Sequence, residues 1–532
     1  MEGSIAPTTV VQPSLSKPPP APGDGRQRFT HQQILRVLSG ILLCIFLAAI
    51  DQTVVIPAVP AIAADLNGFG HLAWIVSAYL LTSTAMTPIY GKLSDIYGRR
   101  KLLLVALVVF AVASVFCALA ATLTQLIMAR ALQGVGGAGL MAMAQAAIAD
   151  VVSPRERGRY QGYMASTWGI ASIAGPIIGG WTTQHLTWRW IFWINLPLAV
   201  IAIVLCDRAL RLLQPRAGRV RIDWAGAALL TGAISAWLLV LSWGGVEMPW
   251  LSAPIFALSA AGLVLIVLLA FQERRFADPL LPPRLFANAV FVRGVAIAFF
   301  GAFALFGGSF LLPLFFQLVR GVDAAASGAL VVPFLGSNCV GAWCAGALAR
   351  RHGKMKAIMI AGLVACMIGF ALLAMVHADT PRYALVAYQL VLGIGVGMVM
   401  PSALVCVQNA ADRRDVGAAT GSVLFLRSMG GAFGSTLVGA LLAGGFATRL
   451  AELGITAHID LGEARQSAGL PGVPPEMLPH VHAAMAGAFD LAFGACAVAM
   501  VAALVVALGM RDLPLRTASA NEPPPEPAAL GH

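Results

Sequence analysis

Residues 91–101 read Gly91-Lys92-Leu93-Ser94-Asp95-Ile96-Tyr97-Gly98-Arg99-Arg100-Lys101, and residues 346–356 read Gly346-Ala347-Leu348-Ala349-Arg350-Arg351-His352-Gly353-Lys354-Met355-Lys356. The two share the frame G-x-L-x-x-x-x-G-[RK]-x-K. Each is a short basic turn between long apolar runs, so one structural unit is expected twice. If both turns lie on the same side of the layer that the runs cross, the chain has two parallel halves related by an axis along the layer normal.

That layer is lipid. Apolar residues make up 59% of the 532 residues and charged residues 11%, where a soluble domain carries about 25% charged. With a mean hydropathy of +0.82, the apolar side chains cannot all hide beneath a water-facing surface. A crossing needs about 20 mostly apolar residues. Such runs fall near 36–62, 71–91, 101–121, 124–149, 158–182, 188–207, 223–243, 252–271, 290–318, 323–349, 355–376, 381–405, 416–444 and 484–508. They are continuously apolar, without the alternation of membrane strands, so helices rather than a barrel are expected. Two six-helix bundles would take twelve of the fourteen, leaving the pair at 223–271 as an insert. The resulting division is a tail at 1–35, a bundle at 36–207, a linker with two helices at 208–275, a bundle at 276–510 and a tail at 511–532.

Basic residues give an independent count. With the N-terminus inside, 28 of the 35 Lys and Arg fall on the cytoplasmic side and five on the outer side. Arg130 and Arg427 remain within spans. A missed or extra crossing would scramble this asymmetry downstream. It places both termini in the cytoplasm of a cell bounded by an inner membrane. It also explains the net charge of +11 by orientation against an anionic leaflet, so no nucleic-acid partner is expected. The Pro-rich residues 1–30 lack the apolar core of a signal peptide, and both tails read as disordered. The eight cysteines all lie in spans without metal-like spacing, and none of the nine histidines lies in mid-span. No metal, cofactor or disulfide is expected.

With these residues in place, the first loop resembles the signature of the major facilitator superfamily, and the span count resembles its fourteen-span drug:proton antiporter branch. Span one carries Asp51-Gln52-Thr53-Val54-Val55 and ends at Pro60, similar to that branch's acidic first-helix motif. Span four carries Arg130-Ala131-Leu132-Gln133-Gly134-Val135-Gly136-Gly137-Ala138-Gly139. Span five carries Gly169 and then Gly175-Pro176-Ile177-Ile178-Gly179-Gly180, which resembles the superfamily's antiporter motif. Trp188-Arg189-Trp190 through Asn195-Leu196-Pro197, and Leu312-Pro313 through Gln317, are also family-like. The chain departs from the pattern at Ile96, a position often basic, and at Ile56-Pro57, where Asn is usual.

Asp51 lies about twelve residues from the outer end of span one, roughly 18 Å deep at 1.5 Å per residue. An ionised carboxylate is costly at that depth, so the setting favours a group poised to take up a proton. A structural pair or a cap at the Pro57/Pro60 break is the alternative. Arg130, Gln133, Gly137, Met141 and Gln145 recur at helical spacing on one face of span four. A polar stripe in lipid must face protein or water, and the central cavity is its expected place. The resemblance implies that Arg130 modulates proton exchange at a nearby acid; spacing leaves open whether it touches Asp51. Gly169, Gly175, Gly179 and Gly180 allow close helix approach and Pro176 a kink, and in the family this segment is thought to limit leakage.

In the first loop, orientation alone explains Arg99 and Arg100, but not Asp95. Asp95 is expected to act with Gly91, Gly98, Arg99 and Arg100 as a latch that pairs in one conformation and releases in the other. Arg350 stands at the equivalent site, so any such latch is one-sided. Trp168, Phe306, Gln317 and Arg427, with Gln133, Met141 and Gln145, are candidates for a substrate cavity, as are Trp74, Phe303, Phe310 and Trp343. Asp490, Asp223 and Glu247 are expected at solvated or interfacial positions, and His458, His480 and His482 in a solvated outer segment at 445–483. That segment is also a candidate dock for a periplasmic adaptor.

These features describe a proton-driven exporter of amphipathic or cationic small molecules, working as a monomer by alternating access. The absence of a G-x-x-x-x-G-K-[ST] loop excludes a built-in ATPase. Its rivals are a dedicated exporter of one metabolite or siderophore, an uptake symporter, and an intramembrane enzyme. The Gly175-Pro176 segment disfavours uptake, and an enzyme would need more facing polar groups at one depth than Asp51, Arg130 and Arg427.

Overall fold

Apolar runs of this length must satisfy their own backbone in lipid, and they do so as helices whose breaks fall at proline and glycine. The computed structural model describes residues 31–66, 73–152, 154–211, 223–244, 248–276, 279, 281, 283–322, 324–377, 379–412, 415–452 and 478–515. The helices are α1 His31–Val54, α2 Val59–Asp65, α3 Ala73–Tyr97, α4 Arg99–Leu119, α5 Leu123–Val151 and α6 Pro154–His185. Next come α7 Trp190–Trp193, α8 Asn195–Leu210, α9 Trp224–Trp243, α10 Ala253–Arg275, α11 Pro283–Ala287 and α12 Ala289–Leu318. The remainder are α13 Ala324–Leu330, α14 Val332–His352, α15 Lys356–Leu373, α16 Arg382–Ala410, α17 Val416–Glu452 and α18 Leu478–Leu508.

The chain is an all-α membrane protein. Among the described residues, twelve helices are long and apolar enough to cross a membrane. The runs expected at 71–91 and 158–182 coincide with α3 and α6, which are long but more polar and carry internal prolines, Pro88 and Pro176. Other boundaries shift for local reasons. The first run breaks after Val54 into a 3-10 turn, Ile56–Ala58, and then α2, because Pro57 and Pro60 cannot donate to the preceding turn. The run at 323–349 is interrupted ahead of Pro333, dividing α13 from α14. α17 continues to Glu452, so part of the outer segment expected at 445–483 is helical. The tails at 1–30 and 516–532, together with Glu247 and His458, lie outside the described residues, as do the side chains of His480 and His482.

The repeated frame has a backbone cause. Gly98 has φ 86° and immediately precedes α4, and Gly353 has φ 67° and immediately follows α14. Both turns need a conformation that side chains with a Cβ rarely adopt. Between such turns the helices build two large apolar cores, with smaller clusters beside them. An N-terminal core gathers Ile41, Leu47, Phe110 and Leu140. A C-terminal core gathers Phe291, Phe334, Phe370, Phe489 and Phe493.

The seam between the cores is tightest toward the Asp95 end. A Cβ on Gly91 would stand 2.6 Å from the Gly417 carbonyl oxygen, and one on Gly421 would stand 2.9 Å from Pro88. Trp343 covers Gly162, donates to Ser166 Oγ at 3.2 Å and meets Tyr163 edge-on at 4.5 Å. Arg157 Nη1 donates to Gln408 Oε1 at 3.1 Å. α9 and α10 rest on the flank of this seam. Trp243 meets Trp74 of α3 at 5.8 Å, and Leu230, Ile234 and Leu269 pack on Ala85 and on Phe425 of α17. Phe256, Leu263, Val264 and Phe271 of α10 are exposed and face the lipid.

Gly91→Val should therefore loosen the α3–α17 closure, since the added methyls meet backbone rather than a side chain that can move. In a background where Cys339 is the only cysteine, maleimide labelling of Cys339 at the seam should quicken in this variant. An unchanged labelling rate would show that Gly91 does not hold the seam.

Candidate functional site

The 3-10 turn after α1 leaves Asp51 one turn short of the break, pointing between helices rather than to lipid. α1, α4, α5 and α8 converge on it. Arg130 Nη1 donates to Asp51 Oδ2 at 2.7 Å, while Gln133 Nε2 and Asn195 Nδ2 each donate to Oδ1 at 2.8 Å. Gln133 closes the ring, because its Oε1 accepts from Arg130 Nη1 at 2.7 Å and its Nε2 also donates to Ser114 Oγ at 2.8 Å. Arg130 is further held by the Ile75 carbonyl at 3.2 Å and lies 4.5 Å from the centroid of the Tyr79 ring. Asp51, Gln133, Asn195 and Ser114 are 0% exposed and Arg130 1%. The guanidinium neutralises a carboxylate that burial alone would make costly, and hydrogen bonds fill its remaining lone pairs. Asn195 Oδ1 is enclosed with no hydrogen-bond partner among the described residues.

The antiporter-like segment of α6 lies against the turn just beyond Asp51. A Cβ on Gly175 would stand 2.0 Å from Thr53 Oγ1, and one on Gly179 would stand 2.2 Å from the Val54 carbonyl oxygen. Thr53 Oγ1 donates to the Ala171 carbonyl at 3.0 Å. Glycine is required at both positions by packing. A Cβ on Gly169 would stand 3.1 Å from Cys339 Sγ across the seam, whereas one on Gly180 would meet nothing within 4 Å. Pro176 is exposed. Farther out, Trp188 Nε1 and Arg189 Nη1 donate to Asp65 Oδ2 at 3.0 and 2.8 Å. They hold its carboxyl below the usual carboxylate range and pin the end of α2.

The loop residues form a second buried cluster. Arg99 is 4% exposed, which charge placed only for orientation would not need. Its Nη2 donates to Asp95 Oδ1 at 2.6 Å and its Nε to Asp150 Oδ2 at 2.9 Å, and it also bonds Ser94 Oγ. Asp95 Oδ2 accepts from the Ala418 backbone N–H at 3.2 Å. Ala418 lies in the first turn of α17, where N–H groups lack helical partners and the helix dipole favours an anion. Asp95 thus caps a helix of the opposite core. Arg100 pairs with Asp207 at 2.5 Å, and Arg350 at the equivalent second-half site is exposed.

The residues expected to share a substrate cavity are spread over α5, α6, α12 and α17. Gln133 belongs with Asp51, because its amide bridges acid and base. Met141 packs on the N-terminal core, and Gln145 is buried, accepting from Gln161 Nε2 at 2.8 Å. Trp168 is half-buried against that core. Gln317 donates to Ser327 Oγ at 2.8 Å. The Phe306 ring of α12 lies over Gly431, one helical turn beyond Arg427 on α17. Asp223, expected at an interface, is 1% exposed and caps α9 through the Gly226 N–H at 2.8 Å. Asp490 is half-buried rather than solvated. Asn195, Ser114, Asp150 and Gln408 were not among the expected site residues. An amide at Asn195 and a hydroxyl at Ser114 within apolar runs were the available signals.

Comparison with known proteins agrees with the fold. The sequence matches the model of the Major Facilitator Superfamily over residues 41–226 and 218–435. It is 36% identical over 406 residues to the multidrug transporter protein MdtP of Bacillus subtilis, covering 76% of this chain and 75% of that one. It is 38% identical over 397 residues to the efflux pump dotC of Dothistroma septosporum, covering 74% and 68%. An uncharacterised MFS-type transporter of Mycobacterium tuberculosis is 34% identical over 480 residues, covering 90% and 70%. In fold, the chain is similar to the human organic anion transporter MFSD10, with a TM-score of 0.60 at 15% identity over 89% of this chain and 99% of that one. It is also similar to the proton:xylose symporter XylE, with a TM-score of 0.59 at 15% identity over 91% and 97%.

Gly175→Ala should separate α1 from α6, at a cost of about 1–3 kcal/mol for overpacking. A lower melting temperature and faster dissipation of an imposed pH gradient in proteoliposomes are the expected results. Unchanged leakage would leave the glycine a packing residue without a sealing role.

Proposed function

The chain belongs to the major facilitator superfamily of membrane transporters, and from that premise we propose that it is a proton-coupled antiporter exporting amphipathic small molecules by alternating access. Residues 36–207 and 276–510 are the two moving halves, and 208–275 carries the inserted pair, fourteen spans in all. The protein works as a monomer in the cytoplasmic membrane with both termini inside. Relatives named as a multidrug transporter and an efflux pump support export.

The observation that carries proton coupling is the donor set around Asp51. Protonating this carboxyl would place a hydrogen where Arg130, Gln133 and Asn195 already aim theirs. Proton uptake and the intact network therefore exclude one another, which is the requirement for two states that a proton can bias. Rotation of the Asn195 amide would turn its enclosed Oδ1 toward the acid as an acceptor, giving the protonated form a partner of its own. Movement of α1 at the Pro57 turn would pass to α6 through the Gly175 and Gly179 contacts. The halves then rock, and Asp95 leaves the first turn of α17. A proton crossing down the potential contributes about 2.3 kcal/mol per 100 mV, so release of the latch must cost no more than a few such increments.

Asp51→Asn should insert and fold yet fail to build a dye gradient in energised inverted vesicles. An undiminished gradient would remove Asp51 from coupling. Asp95→Ala should slow turnover while leaving substrate affinity within about twofold, because the carboxylate stabilises one conformation without touching cargo. Unchanged turnover would reduce the loop to an orientation signal.

A further inference from the structure

Arg427 is the second arginine within the spans, and nothing described above uses it. It stands about 15 Å along α17 from Gly417 at 1.5 Å per residue, deep in a layer about 30 Å thick. Its place on the helix follows from its neighbours. Gly430, Gly431 and Gly434 share its face at i+3, i+4 and i+7. Gly430 and Gly434 lie against the backbone carbonyls of Phe299 and Phe303 in α12, and Gly431 lies under the Phe306 ring. Three residues before Arg427, Leu424 packs on the N-terminal core. Phe425 and Thr436 point the other way, toward the inserted pair. Arg427 therefore stands where the α12–α17 groove meets the seam between the cores.

Unlike Arg130 and Arg99, it has no counter-charge among the described residues. Among the described residues no hydrogen bond or ion pair holds its guanidinium, and only burial acts on it. The carboxylates within reach of the cores are engaged elsewhere: Asp51 holds Arg130, and Asp490 faces His377 and Arg449. The side chain nevertheless keeps accessible surface. An uncompensated intramembrane cation awaits an anion, and a guanidinium fork fits the paired oxygens of a carboxylate or sulfonate. Farther along the same groove lie the rings of Phe306, over Gly431 one turn beyond Arg427, and Phe310, against Gly439 about 18 Å beyond it at 1.5 Å per residue; they are 42% and 39% exposed, an apolar bed leading away from the guanidinium.

We propose that Arg427 is the recognition point for an anionic group on the transported substrate, so that this protein exports aromatic amphipathic anions rather than cations. The proposal rests on the exporter reading and narrows its substrate class. It also suits the energetics, because an anion leaving the cell and a proton entering both move positive charge inward.

The test uses two probes with one body and opposite fixed charges, pyrenebutyl sulfonate and pyrenebutyl trimethylammonium, and the full chain in lipid nanodiscs without a pH gradient. The wild type should bind the sulfonate at least about tenfold more tightly, the scale of one charge-assisted contact. Arg427→Gln should abolish that preference, and Arg427→Lys should restore part of it. Equal binding of both probes, preference for the ammonium, binding of neither, or an unchanged preference in Arg427→Gln would each overturn the assignment. Should Arg427→Gln fail to insert, Arg427→Lys decides: loss of planar pairing should weaken sulfonate binding severalfold with ammonium binding unmoved, and unchanged sulfonate affinity overturns the proposal. Transport of the sulfonate into inverted proteoliposomes under an imposed pH gradient is measured separately. Selective binding without gradient-driven transport would sink the exporter reading and leave the anion site standing.

Discussion

A carboxylate and a guanidinium sealed inside the N-terminal core set the terms for everything around them. Separating Asp51 from Arg130 without a substitute would leave a buried charge, a change worth about 3–5 kcal/mol in comparable pairs. Gln133, Asn195 and Ser114 exist in this packing to hold the pair in one geometry, and their burial requires α1, α4, α5 and α8 to meet there. The glycines at 175 and 179 let α6 close over the turn beyond it. A proton is the smallest species that substitutes for Arg130 at Asp51, because it removes the charge that demands a partner.

The second cluster follows the same logic at the Asp95 end. Arg99 is enclosed between Asp95 and Asp150, and Asp95 spends its other oxygen on the first turn of α17. One side of that contact belongs to each core, so the cores cannot tilt apart at this end without exposing an N–H group and leaving two acids to one arginine. Asp51 lies within one core and Asp95 bridges two. The proposed proton-sensing group is thus separate from the contact proposed to record the conformation, with α1, α6 and the α3–α17 seam between them.

Much of the fold is legible in the sequence. The repeated loop implies two halves, and Gly98 and Gly353 keep the frame because both adopt a left-handed backbone. Asp51 and Arg130 stood out as charges where lipid forbids them. What the sequence could not show were pairings between distant helices. Asn195 reaches Asp51 from α8, and Asp150 reaches Arg99 from α5, at separations that no periodicity encodes. A polar stripe on span four must avoid lipid and so points to a cavity, yet the interior of one bundle meets that requirement equally well, and Gln133 lies there. The breaks after Val54 and ahead of Val332 were blurred for a related reason, since hydropathy persists through prolines that interrupt the helix.

The central claim is that Asp51 exchanges a proton when its partners withdraw. Infrared difference spectroscopy of the carboxylic C=O stretch, recorded on the full chain in lipid as pH is lowered, tests it most directly. The account predicts a protonated-carboxyl band that is missing when position 51 is Asn and that rises together with opening of the Asp95 end. A spectrum with no such band over the whole range in which the protein stays folded would mean that the pair never parts, and proton coupling would have to be sought elsewhere in the chain.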